Sequence, residues 1–149
     1  MDALRLPEGA WVVVCDGRKA LFLENVGDAE FPNLKTREAD KAEAPATSEL
    51  GTDSPGRVYQ SVGERRSAVE QTDWHDKAEE EFLTDLVKRL DAAVEAKTMT
   101  HLVVVAPPRA LGMMRHAYTD RLRGAIHAEI DKDLTALPLH EIERRLTGG

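Results

Sequence analysis

Arginines are concentrated in one short segment of this sequence, although the whole chain carries a net charge of −7. The segment between Pro107 and Gly124 has four arginines and one acidic residue. The four are Arg109, Arg115, Arg121 and Arg123. Arginine presents a planar fork of donors that fits phosphate oxygens, and Arg109 stands at a predicted helix start, where anions are favoured. The segment predicts an anion or RNA-phosphate site; arginines that only pair with an acidic loop are the alternative.

A second basic cluster lies ahead of a predicted long helix. It consists of Arg57, Arg65 and Arg66, in a stretch that is otherwise mostly polar. The cluster adds to the local positive charge that a phosphate-binding surface needs.

Other patterns argue against an enzymatic centre. Asp16 could converge with Asp120 or Asp131 on metal ions, but an Asp-Gly turn already explains Asp16. The five histidines form no metal-binding pair at helical spacing. Cys15, the only cysteine, lies in an apolar run and is predicted to be a buried hydrophobe. Nucleophile-elbow, Walker and dinucleotide motifs are absent from the sequence, so we predict no catalytic residue, no metal and no cofactor.

The first half of the chain is predicted to supply three strands. Residues 11–15 and 20–24 are largely apolar and flank an Asp-Gly pair, which favours a β-hairpin. Residues 25–56 contain seven acidic residues, three basic residues and three prolines, a composition typical of a flexible insert. The segment 57–61 is predicted to be the third strand.

The second half is predicted to alternate helices with strands. An apolar stripe predicts the longest helix over residues 74–97. The β-branched run at 101–106 predicts a strand that is buried on both faces. Pro108 suits the first turn of the next helix, and a strand follows at 126–130, where apolar and polar residues alternate. A short helix that begins after Pro138 ends the chain.

Length and composition indicate one domain, residues 1–149. The element order β-β-β-α-β-α-β-α predicts an α/β fold, a mixed sheet of about five strands with helices on its faces. The chain has 27 acidic and 20 basic residues, which argues against a general coating of nucleic acid by positive charge. No apolar run has the length of a membrane span or of a signal peptide, so we expect a cytoplasmic protein without a membrane partner.

Several stretches resemble the bacterial host-attachment protein family. Two of them read GRVYQSVG at 56–63 and VVVAPPRALG at 103–112, and further matches lie at 66–68, 73–75 and 134–138. The family is named for a role in attachment to host cells, which describes a phenotype and no chemistry. It is also similar to the middle domain of archaeal and eukaryotic peptide-chain release factors. That similarity implies a ribonuclease-H-like mixed sheet.

The resemblance also implies where nucleic acid would bind. Release factors carry a Gly-Gly-Gln loop ahead of their long helix, and the matching residues 63–68 lack it. Arg65 and Arg66 stand there instead, and they suit RNA phosphate better than peptidyl-tRNA hydrolysis. We therefore predict a non-enzymatic factor that binds the ribosome or tRNA. The predicted binding residues are Gly63, Arg65, Arg66, Arg109 and Arg115.

Two alternatives to this prediction stay open. The first is a hydrolase, which would be either a peptidyl-tRNA hydrolase with a replaced catalytic loop or a metal-dependent nuclease that uses Asp16. The second is a protein-interaction module whose acidic insert contacts a basic partner.

Overall fold

The computed structural model describes residues 4–41 and 56–148, and the side chains of 4–41 and 76–148. The strands are β1 (Trp11–Cys15), β2 (Lys19–Asn25), β3 (Leu34–Lys41), β4 (Leu102–Val105) and β5 (Ile126–Ile130). The helices are α1 (Gly56–Glu95), α2 (Pro108–Ala117), α3 (Asp120–Ala125) and α4 (Leu139–Thr147). None of the helices in this part of the chain is long and apolar enough to cross a membrane.

The five strands form one mixed sheet in the order β3-β2-β1-β4-β5. β2 pairs antiparallel with both β1 and β3, whereas β1, β4 and β5 run parallel. All four residues of β4 are buried, as the β-branched run predicted. The predicted α/β fold with a mixed sheet of about five strands is therefore confirmed.

Helices cover both faces of this sheet. On one face, Leu90 of α1 and Met114 of α2 belong to the same buried cluster as Val104 of β4. On the other face, Ile142 and Leu146 of α4 belong to a second cluster with the alternate residues of β1 and β4. The sheet is thus the central layer of three, with α1, α2 and α3 on one side and α4 on the other.

The predicted turn between β1 and β2 is present, and the side chain of Asp16 accepts hydrogen bonds from its backbone. Asp16 Oδ1 accepts hydrogen bonds of 2.8 Å from the backbone N–H groups of Arg18 and Lys19. A Cβ atom on Gly17 would lie 2.7 Å from the side chain of Glu79 on α1. The glycine therefore lets α1 place an acidic side chain directly against the turn.

The third strand and the long helix differ from the sequence prediction. The third strand is β3, which lies within the segment that was expected to be a flexible insert. The predicted strand at 57–61 is wrong, because these residues lie in α1, which begins at Gly56 and not near residue 74. β3 takes the place beside β2, and helical hydrogen bonds satisfy the backbone at 57–61. Residues 42–55 lie outside the described residues, so flexibility there stays a prediction.

A β-bulge in β5 breaks the predicted alternation of apolar and polar residues. The pairing with β4 skips His127, which is the extra residue. Ile126 packs with the cluster beneath α1 and α2, whereas Ala128 packs with the cluster on the α4 face. Glu129 consequently lies on the α2 face of the sheet, and not on a polar surface that it shares with His127.

The helix predicted after Pro108 is divided into two helices. α2 ends at Ala117, and the backbone of Tyr118 is extended. Thr119 then caps α3, because its Oγ1 accepts a hydrogen bond of 3.1 Å from the N–H of Leu122. The break places Tyr118 between two helices and beside the edge strand β5.

Candidate functional site

Arg109 lies at the start of α2, after the carboxyl end of β4, where the sequence predicted an anion site. Its guanidinium forms ion pairs with Asp76 and, at 3.7 Å, with Glu79, both on α1. The hydrogen bond to Asp76 raises the pKa of Arg109. Two carboxylates therefore already compensate the charge that would attract an anion at this helix start.

Carboxylates also gather at the ends of β1 and β5. Thr135 Oγ1 lies 3.2 Å from Asp16 Oδ2 and 2.7 Å from Asp133 Oδ1. Asp120 begins α3, which precedes β5, so it lies near the amino ends of the parallel strands, whereas Asp16 follows the carboxyl end of β1. Asp120 therefore does not converge with Asp16, whereas Asp131, the other acid of the nuclease alternative, directly follows β5. Among residues 4–41 and 76–148, no group of three or more His, Cys, Asp or Glu side chains could hold a metal ion.

The last turn of α2 carries a hydrogen-bonded cluster. Arg115 donates to Glu129 Oε1 through Nε at 3.1 Å and through Nη2 at 2.7 Å. Tyr118 Oη donates to Glu129 Oε2 at 2.8 Å. Each oxygen of the carboxylate thus has a donor, and the cluster ties α2 to the edge strand β5.

The protonation states of this cluster follow from burial and hydrogen bonding. Burial raises the pKa of Glu129, but the hydrogen bonds from Arg115 and Tyr118 outweigh that effect and leave the pKa below its ordinary value. Burial first, and then the hydrogen bond to Glu129, raise the pKa of Tyr118. At neutral pH the carboxylate is therefore ionised and the phenol is a neutral donor.

A pocket that Arg123 helps to line lies beside this cluster. The guanidinium carbon of Arg123 lies 5.8 Å from the centre of the Tyr118 ring, and its Nη2 donates to the carbonyl oxygen of Arg115 at 3.4 Å. Arg123 makes no ion pair with any carboxylate in the part of the chain whose side chains are described. The pocket has a volume of about 340 Å³, and it is also lined by Ile126, His127, Ala128 and Glu129. Two arginines therefore share one pocket, and only Arg115 forms an ion pair with the carboxylate of Glu129.

Two stacked imidazoles lie at the same edge of the sheet. The ring of His127, the bulge residue, is 3.8 Å from the ring of His101, and the two planes differ by 7°. Burial, and then the nearby His127, lower the pKa of His101. His127 is exposed and His101 is partly covered, so the pair presents a flat ring surface beside the pocket.

Arg121, which belongs to the same basic segment, has a structural role. It pairs with Asp91 at 2.9 Å and with Glu95 at 3.0 Å, both near the end of α1. The hydrogen bonds from Arg121 and Thr119 lower the pKa of Asp91 to about 2. This network fixes α3 against α1 and removes Arg121 from the set of uncompensated cations.

The structure brings only part of the predicted site together. Arg115 shares the pocket with an arginine of the same basic segment, whereas Arg109 lies at the opposite end of α2. Gly63, Arg65 and Arg66 lie within α1, so the binding loop predicted there is a helix. Their helical backbone cannot wrap a ligand as a loop would, and their part in binding stays a prediction.

Sequence reasoning missed two residues that shape the pocket. Tyr118 continues the helical spacing of the apolar residues in α2, so the break before Thr119 is not apparent from the sequence. His127 is a polar residue of the alternating run at 126–130, and that pattern predicts only a solvent-facing side chain. Its stacking depends on a bulge, and a bulge leaves no signature in a run of alternating residues.

We expect Glu129→Gln to lower the free energy of unfolding by about 1 kcal/mol at pH 7, since it weakens charge-assisted hydrogen bonds. The folded pKa of Glu129 is below its unfolded value, so its contribution is complete above the unfolded pKa of about 4.3 and is lost as pH falls through the folded pKa. Urea unfolding at pH 7, 5, 4 and 3 should show the two proteins converging at the acid end. The exposed Glu81→Gln is the control, since Glu81 forms no ion pair among the described side chains. Parallel curves for Glu129→Gln at all four pH values would contradict the assignment.

Comparison with known proteins identifies the family but no function. A model of the family described as "Protein required for attachment to host cells" matches residues 11–146. No curated protein matches the chain. Because the family match covers all five strands and nearly all of the helical residues, the chain belongs to the family of proteins required for attachment to host cells.

Proposed function

We propose that this protein is a non-enzymatic binding factor for RNA, associated with the ribosome or with tRNA. The observation that carries the proposal is the pocket that Arg115 and Arg123 share, because Arg123 has no carboxylate partner among the described side chains. Arginine is the residue best suited to phosphate oxygens, and a protein of net charge −7 needs such a local positive site to approach RNA. A factor of this kind would act in the cytoplasm, with host attachment as an indirect consequence.

The release-factor resemblance supports the same proposal at the level of the fold. We assign the mixed five-stranded sheet, with helices on both faces, to the ribonuclease-H-like arrangement of the release-factor middle domain. The absent Gly-Gly-Gln sequence favours binding over peptide release. Arg65 and Arg66 stand at the matching positions, and we propose that α1 presents them to RNA together with Gly63.

The proposed binding is weak and sensitive to salt. Phosphate contacts release counterions, so affinity falls as the salt concentration rises. The excess of acidic residues in the chain opposes RNA, which keeps the number of productive contacts small. Because such contacts position a protein without reading bases, binding should differ little between RNA sequences.

Co-sedimentation with ribosomes tests the proposal. The full chain should pellet with ribosomes at about 50 mM salt and be released at about 200 mM, the range over which phosphate contacts lose most of their strength. Arg65→Ala/Arg66→Ala and Arg115→Ala should each reduce the pelleted fraction at low salt. The matched control is Arg144→Ala, since Arg144 lies on α4 across the sheet and pairs with Glu141.

Three outcomes would overturn this function. If the parent protein does not pellet at low salt, the release-factor analogy holds at most for the fold. If all variants pellet like the parent, the arginines are a solvated surface. Binding to ribosomal proteins that have been stripped of RNA would instead favour the acidic insert as a protein-binding segment.

A further inference from the structure

The pocket between α2, α3 and β5 combines two kinds of group that rarely meet on an acidic protein. Cationic donors line it, from Arg115 and Arg123. Two rings also line it, those of Tyr118 and His127, and the ring of His127 stacks on His101. Cations attract phosphate and rings attract the faces of bases, so the two together fit a nucleotide better than a simple anion.

We propose that this pocket holds one unpaired nucleotide of an RNA strand, with its phosphate at Arg115 and Arg123 and its base stacked against His127. The proposal rests on the proposed function and adds the substrate class, single-stranded rather than double-stranded RNA. It also names two residues, Arg123 and His127, that the family resemblance does not assign.

The proposed phosphate contacts use the N–H groups of Arg115 and Arg123 that are not engaged in the hydrogen bonds described above. A guanidinium has five N–H groups, and Arg115 uses only Nε and Nη2 on Glu129. Arg123 uses one N–H group on a backbone carbonyl, and its guanidinium carbon lies 5.8 Å from the centre of the Tyr118 ring. Both oxygens of Glu129 already accept hydrogen bonds, one of them from the charged Arg115, and this offsets part of the repulsion between the carboxylate and a phosphate. Asp131, at the end of β5, is the nearby acid that opposes binding.

The proposed contact with the base depends on the stacked rings of His101 and His127. A spacing of 3.8 Å and an angle of 7° show that flat rings stack at this point of the surface. His127 is the outer ring of the pair and lines the pocket directly. A base that enters the pocket can therefore continue the stack, which adds binding energy whatever the identity of the base.

The size of the pocket selects an unpaired nucleotide. A volume of about 340 Å³ is close to the lower limit for small-ligand pockets, and it suits one nucleotide and not a helix. Bases within a duplex are stacked on both faces and offer no free ring to a side chain. Unpaired bases in loops and ends can be splayed out, so this site should distinguish single strands from duplexes.

Fluorescence polarisation with a labelled ten-nucleotide RNA and its blunt duplex tests the proposal at low salt. The parent chain should bind the single strand more tightly than the duplex. His127→Ala should weaken single-strand binding about tenfold, as loss of one stacking platform does, and leave duplex binding unchanged. His127→Phe keeps a flat ring and should retain the preference. Arg123→Ala should weaken the binding of both the single strand and the duplex. Arg144→Ala should change the binding of neither.

Three other outcomes would distinguish failure of the nucleotide pocket, of the RNA strand as the ligand, and of the proposed function. Equal effects of His127→Ala on single strand and duplex would overturn the nucleotide pocket and leave the RNA-binding function standing. Binding of uridine monophosphate without binding of the ten-nucleotide RNA would replace an RNA strand with a free nucleotide as the ligand. No binding to either RNA, together with no pelleting on ribosomes, would overturn the proposed function itself.

Discussion

Asn25→Asp should destabilise the fold strongly, and Asn25→Ala should lower the free energy of unfolding by about 3 kcal/mol. Asn25 ends β2 and is completely buried. Its Nδ2 donates to the carbonyl oxygens of Leu6 at 2.8 Å and Pro7 at 3.2 Å. Its Oδ1 accepts from the backbone N–H groups of Gly27 at 3.0 Å and Asn33 at 2.8 Å. One side chain therefore joins the N-terminal segment to the loop between β2 and β3.

The aspartate variant is the sharper test, because it keeps the shape and the acceptor but loses the donor. A buried carboxylate would face three carbonyl oxygens, those of Leu6, Pro7 and Asp28. Burying an uncompensated charge costs more than a missing hydrogen bond. Urea unfolding at pH 7 should place Asn25→Asp below Asn25→Ala, and the gap should narrow as acid protonates the new carboxyl. Asn33→Ala is the control, since its backbone N–H stays in place. An aspartate variant as stable as the parent would exclude this role for Asn25.

Those parts of the fold that depend on local signals could be predicted from the sequence. The β-branched run at β4 is buried because helices cover both faces of the sheet at this strand. The Asp-Gly turn after β1 forms because Asp16 satisfies two backbone N–H groups within three residues. Pro108 begins α2 as expected, since its missing N–H would have no partner in the first turn.

The edge of the sheet could not be predicted in the same way. β3 has one buried residue, Leu34, and its other seven side chains are wholly or partly exposed, so no apolar alternation marks it. What holds it is non-local: backbone pairing with β2, and Arg89 of α1, which pairs with Glu38 and Asp40. Residues 57–61 contain a valine and a tyrosine, and β-propensity of that kind is weaker than its tertiary context.

The number of arginines in the basic segment is plain from the sequence, but which of them pair with carboxylates could not be predicted. Four arginines stand between Pro107 and Gly124, and sequence alone treats them as equivalent. In the fold, Arg109 meets an acid 33 positions away and Arg121 one that is 30 positions away. Such pairings arise only when helices pack, so the single arginine without a described carboxylate partner, Arg123, emerges from the tertiary structure.

This unequal compensation predicts a rank order for single substitutions on RNA binding. Arg123 has no described carboxylate partner, Arg115 has one in Glu129, and Arg109 has two in Asp76 and Glu79. An arginine whose charge is already matched releases few counterions from RNA, because contact with a phosphate first requires its own ion pair to be broken. We therefore expect the largest loss of affinity for Arg123→Ala, a smaller one for Arg115→Ala and the smallest for Arg109→Ala.

The salt dependence of single-strand binding measures this order directly. Each full phosphate contact contributes about 0.7 to the slope of log affinity against log salt, so Arg123→Ala should lower the slope by about that amount. Arg109→Ala should leave the slope nearly unchanged. Asp76→Asn should raise it, because that substitution uncovers Arg109 at a helix start already suited to anions. If Arg109→Ala instead causes the largest drop, its ion pairs must open on binding, and the RNA-contacting surface would centre on the carboxyl ends of the parallel strands and not on the pocket beside β5.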